Sequence, residues 1–180
     1  MLDGKLRPSL LGTAVLLSFG LITTACSSNS DKAEKEYTVP SAWCGYRVPA
    51  KTMEPLLPGG KKITTKTDDA QGLLRCDVLV DGEKVLYLGA ERRAASTALS
   101  AGNAMLGPVS KLTASDDHYA GSDKAAVQLV PCPVERKDGQ EVFAIVNAWE
   151  GSGDEADVKK AVTTYARAAA DSTICTEFDS

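Results

Sequence analysis

The sequence predicts an α+β domain: an antiparallel sheet of four to six strands with two or three helices packed on one face, stapled by disulfides. Three observations carry that reading. Asp-Gly stands twice between apolar runs, at Asp81-Gly82 and Asp138-Gly139. This is a hairpin signal, because both turn residues must accept positive φ. The stretch 154–175 repeats Val158, Ala161, Val162, Tyr165, Ala168 and Ala169 at spacings of three and four, which is one face of a helix. Four cysteines, Cys44, Cys76, Cys132 and Cys175, are spread between residues 44 and 175 and can pair.

The elements follow in chain order. Residues 1–9 carry Lys5 and Arg7, and residues 10–22, LLGTAVLLSFGLI, carry no charge. A membrane-spanning helix needs about 20 apolar residues. A basic start, a short apolar middle and small residues at the end make residues 1–25 a signal peptide. Its end, Thr23-Thr24-Ala25-Cys26, resembles the lipobox of bacterial lipoproteins, with Thr23 where that family usually has Leu, Val or Ile. The resemblance implies that Cys26 receives a diacylglyceryl group and becomes the mature N-terminus. Two acyl chains give stable membrane attachment where one holds only marginally. Residues 26–41 are polar and of mixed charge, too poor in apolar groups to order themselves. They are expected to form a flexible, lipidated tether, followed by one domain at 42–180 of ordinary size.

Within that domain, VPAKTMEPLLPGG (48–60) predicts a short helix on Met53, Leu56 and Leu57, stopped by Pro58-Gly59-Gly60. RCDVLVDGEKVLYLGAE (75–91) and PCPVERKDGQEVFAIVNAWE (131–150) predict two similar hairpins, each with a cysteine in its first strand. Residues 91–107 are an alanine-rich helix candidate that Gly102 and Asn103 interrupt. Residues 109–114 are a candidate strand, 115–123 a loop by composition, and AAVQLVPC (125–132) a strand ending at Pro131. In the last helix Ser152 and Glu155 have capping-box spacing. A helix adjoins each hairpin in sequence, which suggests a pseudo-repeat of two helix–hairpin units.

An even number of cysteines in an exported chain reads as a disulfide framework. Four cysteines allow three pairings. The economical one staples each helix to its hairpin: Cys44–Cys76 and Cys132–Cys175.

The formal net charge is −4, and −5 once the leader with Lys5, Arg7 and Asp3 is set aside. A mildly acidic, interspersed surface argues against nucleic acid as a partner. Candidate chemical motifs are thin. Trp43-Cys44-Gly45-Tyr46 has the start of a thioredoxin-type WCGPC motif, but position 47 is Arg rather than the second cysteine. Gly151-Ser152-Gly153-Asp154-Glu155-Ala156 fits G-x-G-x-x-A, yet acids fill the helix start where a pyrophosphate would sit. Gly59-Gly60-Lys61-Lys62 lacks the earlier glycine and the Ser or Thr of a phosphate loop. His118, the sole histidine, cannot build a typical zinc site alone, and no G-x-S-x-G elbow is present.

The chain resembles the small envelope lipoproteins of Gram-positive, actinobacterial type whose roles are unassigned. The expectation is a monomeric binding or accessory module on the outer face of the cell membrane, held by lipid on Cys26. It would act without cofactor, metal or catalytic residues, on an envelope protein or small ligand. The alternative is an envelope hydrolase using His118.

Overall fold

The computed structural model describes residues 34–70, 72–107, 111–133 and 139–176. The signal peptide, the lipobox and Cys26 lie outside the described residues.

The segment expected to be tether is docked from its first described residues. Glu36 N donates to Gly60 O at 2.8 Å and Gly60 N donates to Glu34 O at 3.0 Å. The Tyr37 hydroxyl donates to Pro58 O, and Tyr37 and Val39 pack on the core. Residues 34–41, expected to be part of the tether, therefore belong to the folded domain. Two aromatic or branched side chains and three hydrogen bonds are enough to order this stretch.

Strands β1 (Ala42–Trp43) and β2 (Tyr46–Arg47) form a small hairpin. Cys44 (φ 48°) and Gly45 (φ 94°) occupy its turn, so Trp43 and Tyr46 stand opposite each other, both buried. Helix α1 (Ala50–Met53) runs into a 3₁₀ turn at Glu54–Leu56. The helix expected over 48–60 is this short because Pro55 has no N–H to continue the α-helical ladder.

Strand β3 (Ile63–Ala70) has no apolar alternation and was not expected from the sequence. Strands β4 (Leu73–Val80) and β5 (Glu83–Ala94) form the first predicted hairpin. Asp81 (φ 52°) and Gly82 (φ 94°) make its two-residue turn, and Val80 pairs with Glu83.

Helix α2 (Ala98–Leu106) is capped by Thr97, whose hydroxyl accepts from Ser100 N at 3.2 Å. Gly102 does not interrupt it. A Cβ there would sit 3.1 Å from Val127 Cγ2 and meet Leu112 Cδ1, so the glycine lets the helix lie close on the sheet. Strand β6 (Thr113–Asp116) begins at the end of the candidate strand 109–114 and runs into the segment expected to be loop, 115–123, which also carries β7 (Tyr119–Gly121).

Strands β8 (Ala125–Leu129) and β9 (Gln140–Ala148) form the second hairpin. Its connection is long, and Cys132 lies in that connection rather than in the strand. Gly139 (φ 66°) ends the connection, and Asp138 lies outside the described residues. Helix α3 (Glu155–Ala170) is followed by α4 (Thr173–Thr176). The capping box of α3 is Asp154 with Asp157, at 3.0 and 3.3 Å, not Ser152 with Glu155. Ser152 N instead donates to Pro55 O at 3.1 Å.

The seven strands of the large sheet are ordered β3-β4-β5-β9-β8-β7-β6, all pairs antiparallel. This is α+β as expected, with one strand more than the upper expectation and a separate two-stranded hairpin. The two long hairpins join through β5 and β9.

Side chains alternate across the sheet, so each strand sorts its residues between two faces. Val142, Ala144 and Val146 face α3 through Val158, Val162 and Tyr165, in a core that also takes in Trp43, Met53 and Leu56. Phe143 and Ile145 face the other way and lie under Ala98 and Ala101 of α2. Helices on a single face was the expectation; α1, α3 and α4 share one face, and α2 covers part of the opposite one. The apolar run in β9 reflects a central strand buried on both sides.

Both predicted disulfides form, Cys44–Cys76 with Cα atoms 5.9 Å apart and Cys132–Cys175 at 5.4 Å. They span 32 and 43 residues, and closing loops of that size contributes about 4 kcal/mol each by chain entropy.

Candidate functional site

Helix α2 rests over β6–β9, and among the described residues no helix covers the β3–β4–β5 half of the same sheet face. There the chain forms an open cavity of about 570 Å³ whose wall is the C-terminal end of α2, at Ala104 and Met105. Its floor is set by strand register. Lys66 lies opposite Asp77, Asp68 opposite Arg75, and Asp77 opposite Tyr87.

A register shift between Val78 and Leu79 leaves Val85 as the extra residue of a β-bulge. Bulges re-aim side chains. This one puts Lys84 on the same face as Tyr87, although the two are three residues apart.

The floor is a network of opposite charges around one sunken carboxylate. Glu91 is only 7% exposed. Arg93 Nη1 lies 3.1 Å from its Oε2, and Arg75 Nε lies 3.6 Å from its Oε1. Lys84 Nζ lies 2.7 Å from Asp77 Oδ1. The same ammonium stands 5.9 Å from the Tyr87 ring centre and 5.4 Å from that of Trp149, within cation–π range. Trp149 is 48% exposed, just past the end of β9. A stripe therefore leads from Trp149 to Lys84 and Tyr87, the last two of which line the cavity.

Tyr87 lies along its own strand because residue 89 is glycine; a Cβ there would come within 2.9 Å of the phenol oxygen. Burial pushes the Tyr87 phenol up to about 12, the charge of Glu91 adds to this, and Arg75 opposes it. The ring therefore keeps its proton at physiological pH and presents an O–H beside Arg75. Paired charges, guanidinium donors and aromatic rings on an open floor suit recognition of a surface or a ligand. Glu91, the most buried carboxylate among the described residues, is already engaged by two arginines.

The residues singled out in the sequence go elsewhere. Cys44, Cys76, Cys132 and Cys175 are all bridged, and disulfides suggest an oxidising, extracytoplasmic setting. Trp43 packs in the core beside the first bridge. A Cβ on Gly151 or Gly153 would fall 2.6 Å from atoms of Leu56, so these glycines serve close packing on the 3₁₀ turn. The main-chain N–H groups of Lys61 and Lys62 donate to the Asp81 carboxylate at 2.9–3.1 Å; the protein's own acid fills that lysine-rich bend.

His118 is exposed on the β6–β7 turn. Its main-chain N donates to Asp116 Oδ1 at 2.8 Å, and its carbonyl accepts from Leu129 N at 2.8 Å. Among the described residues no group of His, Cys, Asp and Glu is placed to hold a metal ion, and no helix is long and apolar enough to cross a membrane.

The open floor was missed in the sequence, although a signal for it exists: Arg75, Asp77, Lys84, Tyr87, Glu91 and Arg93 put charge and aromatic groups at intervals along two strands. The chain matches no protein-family model, no curated protein and no solved structure.

Proposed function

We propose that the protein is an extracytoplasmic lipoprotein, anchored through Cys26 to the outer face of the membrane, that works as a binding or accessory module of the cell envelope. The observation that carries the binding role is the uncovered half-face of the sheet. Two arginines, a lysine and two aromatic rings converge there, and Trp, Tyr and Arg are the residue types that dominate binding hot spots. The lipobox-like TTAC and the disulfides support the location. Lipid at Cys26 would hold this face in the envelope without a spanning helix.

Two measurements test the reading on the full chain in intact cells. A photocrosslinking residue at position 149 should give a discrete adduct that disappears with Arg75→Glu plus Arg93→Glu. Adducts unchanged by those substitutions, or equal to those from position 160 on the exposed side of α3, would overturn the binding face. For the anchor, Cys26→Ala should leave the leader uncleaved or release the protein, and a chain that is still membrane-bound after its leader has been removed would refute it.

A further inference from the structure

Strand β3 is the outer strand of the large sheet, and seven of its eight residues are exposed. A free edge of this length is a template for another strand, and charges normally guard it. Here the charges are ordered. KKITTKTDD runs from Lys61 and Lys62 at one end to Asp68 and Asp69 at the other.

The edge also has a defined hydrogen-bonding side. Asp81 N donates to Lys62 O at 2.8 Å, and the β3–β4 register continues unbroken from Ile63↔Val80 to Ala70↔Leu73. Antiparallel ladders alternate. The even-numbered residues of β3 therefore turn their main-chain groups toward β4, and Ile63, Thr65, Thr67 and Asp69 turn theirs outward.

We propose that β3 pairs antiparallel with β3 of a second copy of this chain, with Thr65 opposite Thr65. The outward groups of Ile63, Thr65 and Thr67 then meet those of Thr67, Thr65 and Ile63. The same register sets Lys62 against Asp68 and Lys61 against Asp69, and the two-fold axis doubles both pairs. Directly opposite side chains in a sheet lie about 5 Å apart at Cβ, and opposite charges there are favourable.

Other registers are poorer. Centring on Lys66 opposes two lysines, and centring on Thr67 keeps only the Lys66–Asp68 pairs. A parallel strand would stack like charge on like. The order of charges thus admits a copy of this strand and repels most others.

The pairing stands apart from the binding reading but bears on it. Lys66 and Asp68 line the open cavity, so a second copy would extend the charged floor across the two-fold into six continuous strands. The working unit would be a dimer rather than the monomer expected from sequence.

The test uses the full chain in its envelope. Hydrogen-bonded residues opposite in an antiparallel pair have Cα atoms about 5.5 Å apart, within disulfide range. Thr65→Cys should therefore give a disulfide-linked dimer on a non-reducing gel, well above an exposed control, Lys160→Cys. Ile63→Cys and Thr67→Cys should cross-link to each other when co-expressed and weakly alone. In the Thr65→Cys background, Lys61→Glu plus Lys62→Glu, or Asp68→Lys plus Asp69→Lys, should each cut the dimer roughly tenfold by opposing like charges. Co-expressing the two charge-swapped chains should restore it, which a folding defect would not do. Dimer no greater than the control, or failure of the mixed pair to recover, overturns the pairing. Stronger cross-linking at Thr67→Cys than at Thr65→Cys overturns the register. Neither result touches the position-149 adducts.

Discussion

One face of the large sheet divides into two halves with opposite chemistry. Under α2 the strands present Val127, Phe143 and Ile145, all fully buried, and the helix answers with alanine and with Gly102, where no side chain would fit. On the adjoining strands, β5 and β4 present Arg75, Asp77, Tyr87, Glu91 and Arg93, with no helix above them among the described residues. Backbone pairing runs through both halves, broken only by the bulge at Val85. Coverage, not strand geometry, decides which residues the face can carry. The covered half holds the fold together, and the open half is free to be used.

That contrast is most sharply broken from the covered side. Phe143→Ala removes a fully buried ring from between β9 and α2, and such truncations cost about 4 kcal/mol in a well-packed core. Urea unfolding of the full chain with its disulfides intact measures it. Arg75→Ala, on a side chain 52% exposed, should stay within about 0.5 kcal/mol of the parent. Similar losses for the two would remove the distinction between the halves.

A change of intermediate size tests whether the open half is a network or a set of solvated charges. Glu91→Gln keeps the volume but leaves Arg75 and Arg93 without their shared carboxylate. Glu91 is nearly buried, whereas its two partners keep half and a third of their side chains in water. The arginines can resolvate, so the expected cost is about 1–2 kcal/mol, below that of breaking a fully buried pair. A cost under about 0.5 kcal/mol would place Glu91 with ordinary surface ion pairs.

Local chemistry that needs no distant partner was legible in the sequence. Asp81-Gly82 specifies its own turn. The three-and-four spacing of α3 specifies its buried face, and one staple per helix–hairpin unit is the pairing found. What could not be read depends on neighbours. ITTKTDDA is polar on both sides because β3 is an edge strand held by its ladder to β4, so it has no apolar alternation to reveal it. The strands β6 and β7 are four and three residues long, and their turn-like composition hides them. Gly102 reads as a helix breaker until a sheet lies beneath it. The binding floor was hidden twice over: Val85 breaks the alternation that would align Lys84 with Tyr87, and nothing local says that α2 stops short of β5.

The smallest effect belongs to Tyr87, which lies at the border between the two halves, packed against the apolar cluster under α2 and facing the charged floor. Its phenol is raised to about 12, chiefly by burial, against about 10 in an unfolded chain. Below pH 10 the ring is neutral in both states, and the contribution of its protonated form is fully present. Between pH 10 and 12 the unfolded chain releases the proton first, so stability falls as pH rises through that window. The shift alone corresponds to about 1.4 kcal/mol at pH 11, and solvent screening of a partly exposed ring lowers this to about 1 kcal/mol or less. Tyr87→Phe has no proton to lose. Urea unfolding at pH 8 and pH 11 should therefore show the parent losing up to about 1 kcal/mol more than Tyr87→Phe. Tyr46 is raised by burial and by Asp69 but not by Tyr87, so it cancels between the two proteins, whereas the Tyr87 charge also raises Tyr165, so part of the difference is carried through that buried ring. Equal losses would mean that Tyr87 ionises as freely as in water, and that the apolar border stops at Ile145.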